Sequence, residues 1–124
     1  MSKVTIPPVG TNLSILVGAL SRVPDLRLLS SGDEVLSLER TIRPEGGAAE
    51  SVPAAWMGAP AAAASWAEGE ELVVVGRVRR RFFRAGGTTQ SRTEVVVATA
   101  VPTRRAATAA RAVRSALATL TPRL

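Results

Sequence analysis

The sequence predicts an all-β fold: a five-stranded Greek-key barrel with one short helix between strands and an amphipathic helix at the C-terminal end. Three observations predict it. Period-two alternation of apolar and polar residues recurs over the first hundred positions, broken by Gly, Pro, Asp and Ser clusters. Helical signals are confined to Pro60–Glu68 and to the last twenty or so residues. The chain has 124 residues, 46% of them hydrophobic, which suffices for one core and falls short of two.

The elements follow in chain order. Residues 1–11 read as a tail. Asn12 to Leu20 alternates Leu13, Ile15 and Val17 against Ser14, Leu16 and Gly18, a largely buried strand with Gly18 at a bend or close approach. Leu16 and Leu20 suit either the barrel interior or a contact between subunits. Pro24-Asp25 opens a turn, Leu26 to Leu29 is a short strand, and Ser30 to Asp33 turns the chain into Val35–Ile42, making a hairpin. Pro44 to Glu50 is a flexible loop before a short strand at 51–57. Pro60 to Glu68 has the alanines of a one- or two-turn helix, proline at its start and Gly69 to end it, with Trp66 turned to the core.

The long hairpin that follows carries the chemistry. Its first strand, residues 70–83, is apolar in its first half and rich in arginine in its second. Alternation sends Leu72, Val74, Gly76 and Val78 to the core and Arg77, Arg79, Arg81 and Phe83 to the other face. Phe82 shares the core parity. Residues 84–92, with Gly86-Gly87 at their tip, read as a mobile basic finger, and 93–101 as the return strand. From Thr103 to Leu120, Ala106, Ala110, Val113, Leu117 and Leu120 define an amphipathic helix ended by Pro122, docked on the domain or on a partner subunit. The organisation is thus a tail (1–11), a barrel domain (12–101) and a basic, Ala-rich helix (102–124). There are no internal repeats.

Charge is polarised along the chain. Residues 1–76 hold 5 basic and 9 acidic side chains, net −4, whereas residues 77–124 hold 11 basic and 1 acidic, net +10. Fifteen of the sixteen basic residues are arginine, which by itself is a weak indicator, since GC-rich coding raises Arg, Ala, Val and Gly together. Their placement says more. Guanidiniums alternating with core residues on one strand, and ending in a phenyl ring, fit a polyanion with unpaired bases: cations neutralise phosphates, and a flat ring stacks on a base.

Other chemistries lose ground on composition. The chain has no histidine and no cysteine, so disulfides, thiolate nucleophiles, imidazole bases and the usual zinc ligands are excluded. Neither catalytic residues, nor a metal, nor a cofactor is expected. Glu68, Glu70 and Glu71 cluster at a turn, where solvated charge explains them. No apolar run approaches the roughly 18 residues that span a bilayer, and the N-terminal residues lack a signal-peptide centre, so a cytoplasmic protein without a membrane partner is expected.

Strand hairpins with one small helix before the last fit an OB-type barrel, whose strand face binds oligonucleotides. Five blocks sharpen this: Asn12-Leu-Ser-Ile-Leu-Val-Gly-Ala-Leu20, Pro24-Asp-Leu-Arg27, Gly32, Gly69 with Val75-Gly-Arg-Val-Arg79, and Thr93-Glu-Val-Val-Val97. Together they resemble the bacterial single-stranded DNA-binding protein family over residues 12–101. The resemblance implies an OB barrel, a homo-oligomer (tetramer or dimer), and a non-catalytic role in DNA replication or repair, wrapping single-stranded DNA over basic grooves and stacking its bases on aromatics at four places. RNA stays open as a ligand, because nothing here reads a 2′-hydroxyl.

Carried over by position, Phe83 and Trp56 match two of those rings, whereas the places near Arg43 and Val52 hold no aromatic. Two absent platforms correspond to about 2 to 6 kcal/mol of lost stacking, which leaves binding dominated by charge. The expected DNA-binding set is Arg43, Trp56, Arg77, Arg79, Arg81, Phe83, Arg84 and Arg92. The family's acidic C-terminal tip, which recruits repair enzymes, has no counterpart in this arginine-bearing end, as in a divergent paralogue. The rival expectation is an OB-fold interaction module that kept its barrel and lost productive stacking.

Overall fold

The computed structural model of the chain describes residues 6–121, so the closing role read for Pro122 and the first residues of the tail lie outside it. It is mostly β: a six-stranded sheet of β1 (Ser14–Leu20), β2 (Asp25–Leu28), β3 (Glu34–Ile42), β4 (Glu50–Met57), β5 (Glu71–Ala85) and β6 (Thr88–Pro102), followed by one α-helix, α1 (Ala106–Ala118). The strand order is β1-β5-β6-β4-β3-β2, and β1 additionally pairs with β3 through Ala19↔Thr41 and Leu20↔Arg40. The succession of pairings therefore returns to β1, with β2 appended to β3 alone among the described residues. All pairings are antiparallel except β4–β6.

Glycine makes the changes of partner possible. At Gly18, where β1 passes from β5 to β3, a Cβ would sit 2.5 Å from the Thr41 carbonyl oxygen, so only a residue without one lets β3 approach. Gly76 does the same on β5, where the register with β6 shifts between Val75↔Thr99 and Gly76↔Val97. Ala98 is the extra residue of that β-bulge, and a Cβ on Gly76 would meet the Val96 oxygen at 2.2 Å.

Two apolar layers result. Leu20, Leu36, Leu38, Trp56, Leu72, Val74, Val95 and Val97 form the main core, with Leu16 packed against it. Both leucines that left the orientation of β1 open thus face inward. On the opposite face of β5 and β6, Val73, Val75 and Val101 are covered by Ala109 and Ala116 of α1, with Leu13 and Ile15 of β1 alongside. The helix docks on its own domain, but through a different stripe from the one expected. Ala109, Ala112, Val113 and Ala116 face the sheet, and Leu117 is exposed, because small alanines let the helix lie close while a leucine stripe would hold it off.

Three further expectations need correction. The helix after β4 is a single 3-10 stretch, Ala61–Ser65, which ends before Gly69, and Trp66 lies just beyond it, half-buried against the main core. The turn is also shorter than the nine residues read for it: the strands pair to Arg84↔Thr89 and Ala85↔Thr88, and only Gly86 and Gly87 turn. Their φ values, +60° and +81°, are those of a two-residue type I′ turn, whose twist matches that of the strands. Phe82, finally, leaves the core, since β5 outruns it, and is 66% exposed.

One core position is unexpected. Arg40, between Leu20 and Val52 in the register, is 0% exposed, and Nε, Nη1 and Nη2 have no hydrogen-bond partner among the described residues. Burial lowers its pKa from the usual arginine range to about 10, because desolvation penalises the charged form.

Candidate nucleic-acid interface

The interface is assembled by the β5–β6 register. Beyond the bulge, Arg77 pairs with Val96, Arg79 with Glu94, Arg81 with Arg92 and Phe83 with Gln90. Residues opposite one another in a ladder share a face, so these side chains form a double row outside the main core. Ala55 of β4 lies beside Val96, Ser37 of β3 beside Ala55, and Arg27 of β2 beside Val35, which extends the face across the sheet.

A groove of about 420 Å³ runs over this face. Ser37 and Ala55 give it a low floor, and Arg27, Arg79, Arg81 and Arg92 rise around it. With Glu94 the groove residues carry a net charge of +3. Small floor residues admit a flat ligand, while guanidiniums at the walls suit oxyanions by their planar, multidentate donor geometry.

Carboxylates hold the arginines in place. Glu94 is 5% exposed and accepts a hydrogen bond from Arg81 Nε at 2.9 Å, with Arg79 Nη2 at 3.7 Å. Glu39 takes Arg22 at 2.9 Å on one oxygen and Arg92 at 3.5 Å on the other, and Arg27 pairs with Asp25 at 2.8 Å. The directly opposed cations Arg81 and Arg92 are thereby each drawn to a different acid, which offsets the like-charge cost of their register. Arg77 is exposed and has no ion pair or hydrogen bond from its side chain among the described residues.

The expected residues divide accordingly. Arg79, Arg81 and Arg92 line the groove, Arg77 continues the row past it, and Phe83 stands half-buried at its end with the Arg81 guanidinium 5.1 Å from the ring centroid. Arg84 belongs to the ribbon tip, where Nη2 donates to the Gly87 carbonyl at 2.8 Å. Two residues do not join them. Trp56 is only 6% exposed and packs on Trp66 at 6.1 Å between centroids, since its β4 parity turns it inward, so it offers no surface for a base. Arg43 lies past the far end of β3 in a separate groove with Val17, Ala19 and Glu71.

Glu94 and Arg27 are charged groove residues that sequence reasoning did not single out, and Glu39, which does not line the groove, is the unforeseen partner of Arg92. The signal for Glu94 was present: a turn centred on Gly86-Gly87 places it opposite Arg79 by counting outward. Among the described residues no group of three acidic side chains is placed to hold a metal ion, and no helix is long and apolar enough to cross a membrane. Comparison with models of known protein families and with curated proteins finds no match for this chain.

Proposed function

We propose that this chain is a non-catalytic binder of single-stranded nucleic acid, DNA in the first instance, and that its sheet is a barrel of the OB type. The observation that carries the reading is the row Arg77, Arg79, Arg81 and Phe83 on one accessible face of β5, bordering a groove of net charge +3. The cycle of pairings that returns to β1 supports the barrel, as does the resemblance of residues 12–101 to the single-stranded DNA-binding family. With Trp56 in the core, one ring remains beside the groove, so phosphate contacts supply most of the affinity and sequence preference is weak. Self-association belongs to the same reading; β1 leaves Val17 exposed, and light scattering measures the stoichiometry.

The test is fluorescence anisotropy of a dye-labelled oligothymidine at several salt concentrations. Tryptophan emission would be a poor reporter, because Trp56 is buried and Trp66 is stacked on it. If the four groove arginines each neutralise one phosphate, log K falls against log salt with a slope near −3, at about −0.7 per contact. The triple variant R79A/R81A/R92A should flatten that slope to about −1. Absence of binding by the native chain, or a slope insensitive to the triple variant, would overturn the proposal.

A further inference from the structure

Beyond Val78, β5 and β6 leave the core and continue as a two-stranded ribbon, so their second face is also in solvent. That face carries Arg80, Phe82 and Arg84, opposite Thr93, Ser91 and Thr89. Arg80 donates from Nε and Nη2 to Ser91 Oγ at 3.2 and 3.0 Å, which fixes its guanidinium 5.3 Å from the centroid of Phe82. Arg81 lies 5.1 Å from Phe83 on the groove side. The same unit, an arginine followed two residues later by the phenylalanine it covers, is therefore built once on each face.

The second unit has no core to serve. Phe82 is 66% exposed, and the one acid of the ribbon, Glu94, pairs with Arg79 and Arg81 on the groove face, whereas Arg80 and Arg84 have no ion pair among the described residues. The rim between the faces is open as well. Asn12 occupies the β5 edge at Val78, its side-chain amide donating to the Val78 carbonyl at 2.8 Å and accepting from the Val78 N–H at 3.0 Å. Past that point, among the described residues, no strand other than β6 pairs with β5.

We infer that the Arg80–Phe82 face is a second base-stacking site, and that one single strand, after following the groove, turns over the open β5 rim and engages the ribbon on both faces. This rests on the functional reading above and deepens it. A polyanion with unpaired bases satisfies both features together: its phosphates meet the uncompensated guanidiniums, and its bases stack on a ring or on the guanidinium plane above it.

Oligothymidines of about 5 and about 25 nucleotides, below and above the span of one such fold, separate the two faces. F83A should weaken both. F82A should leave the short strand unaffected and weaken the long one by about five-fold to a hundred-fold, as loss of one stacked base does, and F82W should restore it. Photocrosslinking of a 5-iodouracil strand should then label Phe82 in the long complex only. If F82A binds both lengths as the native chain does while F83A weakens both, the second site does not exist. If the native chain binds neither length, the functional reading itself fails, and this inference with it.

Discussion

Replacing Glu94 by glutamine should move stability and binding in opposite directions. The carboxylate is buried, and it fastens two partly exposed guanidiniums, Arg81 at 2.9 Å and Arg79 at 3.7 Å. A glutamine keeps the size and one acceptor oxygen while removing the charge. Because both arginines already reach solvent, no uncompensated charge is left buried, and the loss of charge assistance costs about 1 to 2 kcal/mol. Roughly 4 to 8 °C in Tm follows for a chain of this size. In the groove, net charge rises from +3 to +4. For a phosphate about 7 Å from the position of the lost charge, an effective dielectric between 20 and 80 gives about 0.6 to 2.4 kcal/mol of added attraction. Oligothymidine should therefore bind about three-fold to fifty-fold more tightly at low salt, with a slope steeper by about 0.7 if one more guanidinium reaches a phosphate. Anisotropy titrations at several salt concentrations, with a thermal melt on the same samples, read all three quantities. Weaker binding by E94Q with an unchanged melt would refute the reasoning, because Glu94 would then be positioning the arginines rather than competing with the ligand for them.

Other perturbations test the frame that presents the groove. R40M should raise stability by about 1 to 4 kcal/mol in urea denaturation at pH 7, since an unpaired buried cation gives way to an apolar side chain of similar length. The pKa of Arg40 is depressed in the folded state, to about 10, so its cost is fully present below pH 10 and shrinks as pH rises through that value; the advantage of R40M should narrow correspondingly above pH 10, and a less stable R40M at pH 7 would count against the burial. G76A should destabilise by about 1 to 3 kcal/mol or more in the same assay, because its methyl would meet a backbone oxygen at 2.2 Å that cannot yield without breaking the ladder. N12A should speed hydrogen exchange at the Val78 amide, since the Asn12 side chain that accepts from it is lost, while the core amides of β5 exchange as before.

Much of this was legible from alternation alone. The strands, the β2–β3 and β5–β6 hairpins, the inward turn of Leu72 and Val74 and the outward row of Arg77, Arg79 and Arg81 all follow from period two. What alternation cannot supply is where a strand leaves the core. Phe82 and Leu36 have equally sound inward parity, yet one is exposed and the other buried, because among the described residues β5 extends past every neighbour except β6. Trp56 failed for the converse reason: an aromatic read as a surface platform by resemblance sits on a parity that packs it with Leu36 and Trp66. Arg40 was hidden by its type, since a charged residue in an alternating strand reads as solvent-facing. Glu94 was within reach, and went unread because the turn was spread over nine residues instead of being centred on two adjacent glycines with positive φ.

The length of β5 ties these observations together. From Leu72 to Gly76 it is buried on both faces, between the main core and α1; from Arg77 one face borders the groove, which Arg79 and Arg81 line, and past Val78 the other face is in solvent. Each transition has a local cause: the bulge at Gly76 re-aims the strand, Asn12 ends its pairing with β1, and Gly86-Gly87 return it in register. An unpaired strand edge of that length would ordinarily invite another chain to add to it, and natural sheets deter this with charge. Here five arginines supply the deterrent against a second copy of the same ribbon, and by the same sign they attract a polyanion. A ribbon meant only for packing would have needed neither the exposed ring nor arginine in place of the shorter polar residues that β6 uses opposite it, Thr89, Ser91 and Thr93.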